Sequence, residues 1–176
     1  GLRHPPVLQG PLALSRIRIL LDPGHGGPQD VGSRGPTGVP EKDLTLALAL
    51  LLQADLEKRG ATVSLTRAGD QDLPLAERTQ MLQKLEPTLA LSLHYNALLD
   101  DGDALRTQGL SSHWYHAQEQ PLAQFLHDFL TAKLQRPSFG VYCNNLLFIR
   151  PTLCPSILLE LGFMTHPEEF EWIIDP

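Results

Sequence analysis

The sequence predicts a single α/β domain with a central sheet of about six strands, mixed but mostly parallel, flanked by helices. Short apolar runs alternate with longer helix-like stretches through the first hundred residues, as is typical of parallel strands joined by right-handed crossovers. Two strand-like runs then follow each other directly near the end of the chain, which makes the predicted sheet mixed. The length of 176 residues suits one domain with a sizeable core.

The N-terminal half contains three strand-like runs separated by two helix-like stretches. In chain order these are a strand at 16–21, a helix at 41–59, a strand at 61–67, a helix from 74 to about 85, and a strand at 88–94. The first run is rich in Ile and Leu and stops at the turn sequence DPGHGG. The first helix has acids in its first turn and Gly60 at its end. Because this helix is apolar on most of its circumference, we expect it to be heavily buried.

The C-terminal half continues after a polar loop. In chain order we predict a strand at 111–116, a helix at 120–135, strands at 145–150 and 156–163, and a last helix at 166–174. The helix at 120–135 carries one apolar stripe, made of Leu122, Phe125, Leu126, Phe129 and Leu130. Residues 1–15 contain several prolines and no apolar signal-peptide core, so we expect a linker remnant there and a domain at 16–176.

Composition excludes several classes of function. The formal net charge is −6 and no cluster of Lys and Arg occurs, so a nucleic-acid partner is not supported. The longest apolar stretch, 44–52, is much shorter than the ~20 residues of a membrane span. Cys143 and Cys154 flank the predicted strand at 145–150, and their spacing does not decide whether they form a disulfide.

Four residues with metal-binding or proton-transfer side chains stand at the ends of predicted elements. His25 comes in the turn after the first strand, whereas His94 and Glu160 each end a later apolar run. Glu41 opens the long helix. The functional crevice of an open α/β sheet lies outside the carboxyl ends of its strands, so we expect these side chains to meet there. Two imidazoles and a carboxylate with an open position describe a catalytic zinc, and a further carboxylate is the base it needs.

Each of the four residues also has a simpler explanation when taken alone. His25 could satisfy backbone groups of its turn, and His94 could be a hydrogen-bonded structural histidine. Glu41 suits the positive end of a helix dipole without any metal. Glu160 is harder to explain, because it interrupts the apolar run ILLELGF, where a buried carboxylate without a partner would be costly.

The motifs ILLDPGHGG, EKDLTLALALLLQADLEKRGATVSLTR, LALSLHYNA and PSILLELGFMTHPEE resemble those of the zinc-dependent N-acetylmuramoyl-L-alanine amidases of bacterial cell walls, the amidase_3 family. The resemblance covers residues 17–174. It implies that His25, Glu41 and His94 bind Zn²⁺ and that Glu160 is the catalytic residue. The implied reaction cleaves the amide bond between N-acetylmuramic acid and L-alanine of the peptidoglycan stem peptide. It also implies a monomer in the periplasm or cell wall, with export and targeting encoded upstream.

Several further residues are candidates for supporting roles. Asp22 and Asn96 could orient the metal ligands. Arg67 ends the second strand and could bind a peptide carboxylate or form a structural ion pair. His113 and His116 lie three residues apart, which on a strand points them to opposite faces. We therefore expect substrate contact or solvent exposure for these two histidines rather than a second metal site.

Two other functions stay open from the sequence. The chain could be another zinc peptidoglycan hydrolase, either a peptidase or a deacetylase. It could also be a wall-binding module without catalysis, although Glu160 argues against that alternative.

Overall fold

The computed structural model describes residues 13–99 and 101–175, so most of the predicted linker at 1–15 lies outside the described residues. The described part of the chain forms six strands, four α-helices and a short 3₁₀ helix at Ala117–Glu119. The strands are Arg18–Pro23 (β1), Thr62–Leu65 (β2), Leu89–Asn96 (β3), Leu110–Trp114 (β4), Ser138–Cys143 (β5) and Ser156–Phe163 (β6). The helices are Glu41–Lys58 (α1), Leu75–Leu85 (α2), Gln120–Leu134 (α3) and Pro167–Ile174 (α4).

The strands form one mixed sheet, which confirms the predicted fold class. Their spatial order is β2-β1-β3-β6-β4-β5, and β2, β1, β3 and β6 are parallel to one another. The sheet becomes mixed at β4, which pairs antiparallel with β6 and parallel with β5. The antiparallel contact therefore joins strands that are far apart in the chain, not the two consecutive runs that the sequence suggested.

The prediction of a strand at 145–150 is wrong. The strand of this region is β5, and the residues after it form a turn at 147–149. Phe148 and Ile149 of this turn are almost fully buried, so its apolar side chains anchor a loop to the core. A short apolar run by itself does not distinguish a strand from such a buried loop.

The two faces of the sheet carry separate apolar clusters. Ile19, Leu91 and Ile157 represent the face that packs with side chains of α1, α3 and α4. Leu20 and Leu158 belong to the opposite face, which packs with α2 and with the segment 144–154. Because successive residues of a strand alternate between faces, each central strand contributes to both clusters.

Helix α1 is buried on one side only, so the expectation of a heavily buried helix is wrong. Leu50 is 43% exposed and Leu51 is 70% exposed on its outer face. Helix α3 shows the same effect, because Phe125 and Phe129 of its predicted apolar stripe are exposed and stack on each other. In the described part of the chain, no further layer covers these outer faces.

The two cysteines do not form a disulfide with each other. Cys143 is exposed, Cys154 is buried, and both thiols are free. None of the helices within 13–99 and 101–175 is both long and apolar enough to cross a membrane.

Candidate metal centre

Three side chains from separate elements converge at the carboxyl edge of the sheet. His25 follows β1, His94 lies near the end of the neighbouring strand β3, and Glu41 is the first residue of α1. One ligand atom from each residue lies within 4.8 Å of the other two. The structure thus brings together the three residues that the sequence proposed as metal ligands.

The carboxylate of Glu41 is the centre of this cluster. Its Oε1 atom lies 3.2 Å from Nε2 of His25 and 3.1 Å from Nδ1 of His94. Its Oε2 atom accepts hydrogen bonds from the backbone N–H and the hydroxyl of Ser33, at 3.0 and 2.9 Å. Burial alone raises the pKa of Glu41, but hydrogen bonds to the two histidines outweigh it and lower the pKa well below its usual range.

His25 is held by its backbone and by a second carboxylate. Its φ of 59° is a left-handed conformation that few residues other than glycine adopt. Nδ1 of the ring lies 2.6 Å from Oδ1 of Asp30, which leaves Nε2 to face Glu41. Burial lowers the pKa of His25, but hydrogen bonds to Glu41 and Asp30 raise it to about 9 in the metal-free protein.

Glu160 lies on β6 directly beside His94, its register partner on β3. Among the described residues, its buried Oε2 atom has no hydrogen-bond partner. Burial raises the pKa of Glu160 to about 7, with the charge of His94 opposing this rise and that of Glu41 adding to it. The carboxyl group is therefore balanced between its protonated and ionised forms near neutral pH.

These four residues line one cavity of about 420 Å³. One wall is apolar and is formed by Leu75 at the start of α2 and by Leu146 and Leu147 of the loop after β5. Both loop leucines are partly exposed, at 36 and 37%. The cavity thus joins a polar floor, which carries the candidate metal ligands, to an apolar wall that faces solvent.

Residues 19–176 match the protein family described as N-acetylmuramoyl-L-alanine amidase, over nearly the whole chain. The chain belongs to this family. It is 36% identical over 159 residues to a probable cell wall amidase, LytH, of Staphylococcus aureus. That match covers 89% of this chain and 51% of the relative, so the chain spans about half the length of the curated relatives it matches.

Solved structures of the family have the same fold. The catalytic domain of CwlV, an N-acetylmuramoyl-L-alanine amidase from Bacillus (Paenibacillus) polymyxa var. colistinus, superposes with a TM-score of 0.83 at 26% identity. The match covers 90% of this chain and 87% of CwlV. The amidase AmiC2 of Nostoc punctiforme has a TM-score of 0.84 at 28% identity, with 90 and 86% covered.

Asp22 does not contact the side chain of any of the three candidate ligands in this amidase-family chain. Its carboxylate accepts hydrogen bonds from Thr66 at 2.6 Å, Ser92 at 2.7 Å and Arg78 at 2.8 Å. Arg78 in turn donates to the backbone carbonyl of His25 at 2.6 Å. Asp22 therefore affects the site indirectly, because it binds Arg78, which holds the loop of His25.

Arg67 faces inward and, within the described residues, bonds to backbone carbonyls rather than to a carboxylate. Its guanidinium donates to the backbone carbonyls of Pro23, Gly24 and Lys42 at 2.8–3.1 Å, and only 2% of the residue is exposed. Most of its N–H groups bond to carbonyls of β1, of the loop that follows it and of α1. Binding of a peptide carboxylate by Arg67 stays a prediction. Arg67 ties the end of β1 to the start of α1.

Asn96 lines the cavity but does not orient a ligand. Its side-chain oxygen accepts from the backbone N–H of Ala97 at 2.8 Å. The residues that hold the ligand side chains are Asp30 and Ser33, which the sequence analysis missed. Their only signal in the sequence is a position in the polar loop between His25 and Glu41.

His113 and His116 form no metal pair. His113 is buried and lies between Ser111 and Asn144, so the expectation of solvent exposure is wrong for this residue. Nε2 of His116 lies 2.6 Å from the backbone carbonyl of Arg150, outside the strand. These histidines instead organise the segment that carries the apolar wall.

Proposed function

We propose that this chain hydrolyses the amide bond between N-acetylmuramic acid and L-alanine in peptidoglycan, with one zinc ion held by His25, Glu41 and His94. The observation that carries the proposal is the convergence of these three residues beside Glu160, whose buried Oε2 atom has no hydrogen-bond partner among the described residues. Membership in the N-acetylmuramoyl-L-alanine amidase family supports the choice of substrate.

The chemistry of the donor set fits zinc. Two imidazole nitrogens and one carboxylate oxygen are ligands of catalytic zinc sites, which keep a further position open. His25 and Glu41 are each fixed by another polar group, Asp30 and Ser33, as is usual for metal ligands. The cavity beside the cluster leaves room for a substrate carbonyl and a water molecule.

A zinc ion bound there would supply Lewis acidity, which polarises the amide carbonyl and makes water easier to deprotonate. Glu160 accepts the proton of the attacking water as the new carbon–oxygen bond forms. It then returns this proton to the nitrogen of L-alanine as the carbon–nitrogen bond breaks. Burial raises the pKa of this carboxyl group in the metal-free protein, and the same burial helps Glu160 to hold the proton between the two steps.

The test combines zinc analysis with mass spectrometry of digested peptidoglycan for the wild type and for Glu160→Ala. The wild type should contain one zinc ion and release intact stem peptides that begin with L-alanine. Glu160→Ala should keep its zinc and lose hydrolysis. Deacetylated glycan or shortened stem peptides would instead indicate a zinc deacetylase or peptidase, and substantial turnover by Glu160→Ala would exclude Glu160 as the base.

The ligand assignment has its own test. His25→Ala and His94→Ala remove one donor each from a cluster of three. Both variants should lose zinc after dialysis against a weak chelator. Full zinc occupancy in either variant would contradict the assignment.

We also propose that the domain acts as a monomer on the cell wall outside the cytoplasm, with targeting supplied by a further segment. The name of the staphylococcal relative, a probable cell wall amidase, supports the location. Sedimentation of the purified chain measures its oligomeric state directly.

A further inference from the structure

Glu160 lies in a row of side chains that crosses three neighbouring strands. Parallel register pairs it with His94 of β3, and antiparallel register pairs it with Ser111 of β4. Residues directly opposite one another on neighbouring strands point to the same face of a sheet. His94 and Ser111 therefore flank Glu160 on its two sides, and Ser111 has no part in the proposed zinc site.

The side chain of Ser111 is held in place by two further residues. Ser111 is 1% exposed, and its hydroxyl lies 3.0 Å from Nε2 of His113. Nδ1 of His113 lies 2.8 Å from Nδ2 of Asn144, and the imidazole stacks on the ring of Tyr142. These contacts connect the loop that forms the apolar wall to the strand beside Glu160.

The chemistry of the side chains determines which group donates in each of these hydrogen bonds. The amide nitrogen of Asn144 can only donate, so Nδ1 of His113 accepts. Burial and then the charge of His94 lower the pKa of His113 to about 4, so its ring is neutral and carries one proton. That proton lies on Nε2 and is donated to the oxygen of Ser111. The oxygen of Ser111 accepts this hydrogen bond, so the hydroxyl can donate its own proton to another acceptor.

Glu160 offers that acceptor, because its buried Oε2 atom is unpartnered within the described residues. We propose that Ser111 is a positioning residue for Glu160. The two side chains are neighbours across β4 and β6 but are not hydrogen-bonded to each other in this structure. The hydroxyl, oriented by His113 and Asn144, would donate to the Glu160 carboxylate when that side chain turns toward β4, and would hold it there for proton transfer. This inference rests on the function proposed above for Glu160.

Kinetic comparison of Ser111→Ala, Ser111→Thr and Ser112→Ala tests the role of the hydroxyl. Ser112 is an ideal matched control, because it is equally buried but pairs with Leu159 and points to the other face. Ser111→Ala should lower kcat on a muropeptide about 10- to 100-fold without changing KM. Ser111→Thr, which keeps the hydroxyl, should retain most of kcat, and Ser112→Ala should retain all of it. An unchanged kcat in Ser111→Ala, or an equal loss in Ser112→Ala, would overturn the proposal.

The direction of hydrogen bonding from Asn144 through His113 to Ser111, here called the relay, can be measured without metal or substrate. Long-range ¹H–¹⁵N NMR correlations of the metal-free protein report which nitrogen of His113 carries the proton. The wild type should be protonated at Nε2. Asn144→Asp, which replaces the donor with a carboxylate, should place a proton on Nδ1 and lower kcat. If Nδ1 of His113 carries the proton in the wild type, His113 does not donate to Ser111, and the proposal is overturned.

The two measurements separate this inference from the proposed function. A wild-type chain that releases no stem peptide would contradict the amidase function and the role of Ser111 in it. The NMR measurement would still decide whether Asn144, His113 and Ser111 form the relay.

Discussion

Buried carboxylates elsewhere in the described part of the domain have hydrogen-bond partners, and Glu160 differs from them in this respect. Glu119 accepts from the backbone N–H groups of His116 and Ser156, and Glu169 accepts from those of Gly109 and Phe163. Glu160 has an unpartnered oxygen within the described residues. Burial alone therefore does not identify a functional acid. A functional acid is better identified by burial together with a missing hydrogen-bond partner and a position in a cavity.

Glu160→Gln should change the pH dependence of stability in the metal-free protein. The pKa of Glu160 is raised from 4.5 to about 7 on folding, so its ionised form is disfavoured in the native state. Wild-type stability should therefore fall, relative to Glu160→Gln, as pH rises from about 4.5 to 7. Urea unfolding at pH 4 and pH 8 measures the difference. A gap between the two proteins that is the same at both pH values would contradict the raised pKa.

Arg78 should be among the most costly residues to remove. It donates to the buried carboxylate of Asp22 and to the backbone carbonyls of Pro23, at the end of β1, and His25, in the loop that follows. Arg78→Ala leaves that charge unpaired, so we expect a loss of about 3–5 kcal/mol in the free energy of unfolding. Urea denaturation measures this loss. Arg106→Ala is the control, because its ion pair with Asp103 is exposed, and it should change stability by no more than about 0.5 kcal/mol.

At the scale of elements, the end of β1 and the end of β3 approach so closely that only glycine fits at position 24. A Cβ atom there would overlap the imidazole of His94. We expect Gly24→Ala to displace this ring and to weaken zinc binding about 10- to 100-fold. Competition with a zinc-binding dye measures the affinity. Gly69→Ala should keep wild-type affinity, because the nearest atom to its added Cβ is 3.8 Å away.

Helix α1 shows why an apolar composition does not predict burial on all sides. Its inner face packs on β1, β2 and β3, while Ala47, Leu50, Leu51 and Ala54 form an exposed stripe on the outer face. Periodicity predicts that a segment is helical, but it predicts which side is buried only when the other side is polar. The number of layers around a helix is a property of the assembled domain.

At the scale of the whole molecule, the proposed metal links three elements that are separated in the chain. A ligand that binds only the folded state stabilises it, by about 4 kcal/mol at a free concentration of about 1,000 times its Kd. Removal of zinc with a chelator should therefore lower Tm, and added zinc should restore it. Calorimetry measures both changes. His94→Ala should show neither, and a similar shift in this variant would place the stabilising metal elsewhere.

Most of the fold follows from local patterns in the sequence. The strand Ser156–Phe163 was predicted with the bounds that the structure has, because its apolar run is enclosed by clear turn residues. The error at 145–150 has a different cause, since Leu146, Leu147 and Phe148 serve a loop that lines the cavity. The apolar residues of that loop make tertiary contacts, and no local sequence pattern predicts such contacts.

Local sequence patterns are enough to predict the chemical types at the site and their positions at the ends of helices and strands. His25, Glu41, His94 and Glu160 follow from strand and helix periodicity and from turn residues, which are local properties. The contacts of Asp30 and Ser33 with two of these side chains, and the inward direction of Arg67, are visible only in the folded domain. Hydrogen-bond partners across a loop depend on the path of its backbone, and that path is set by packing against distant parts of the chain.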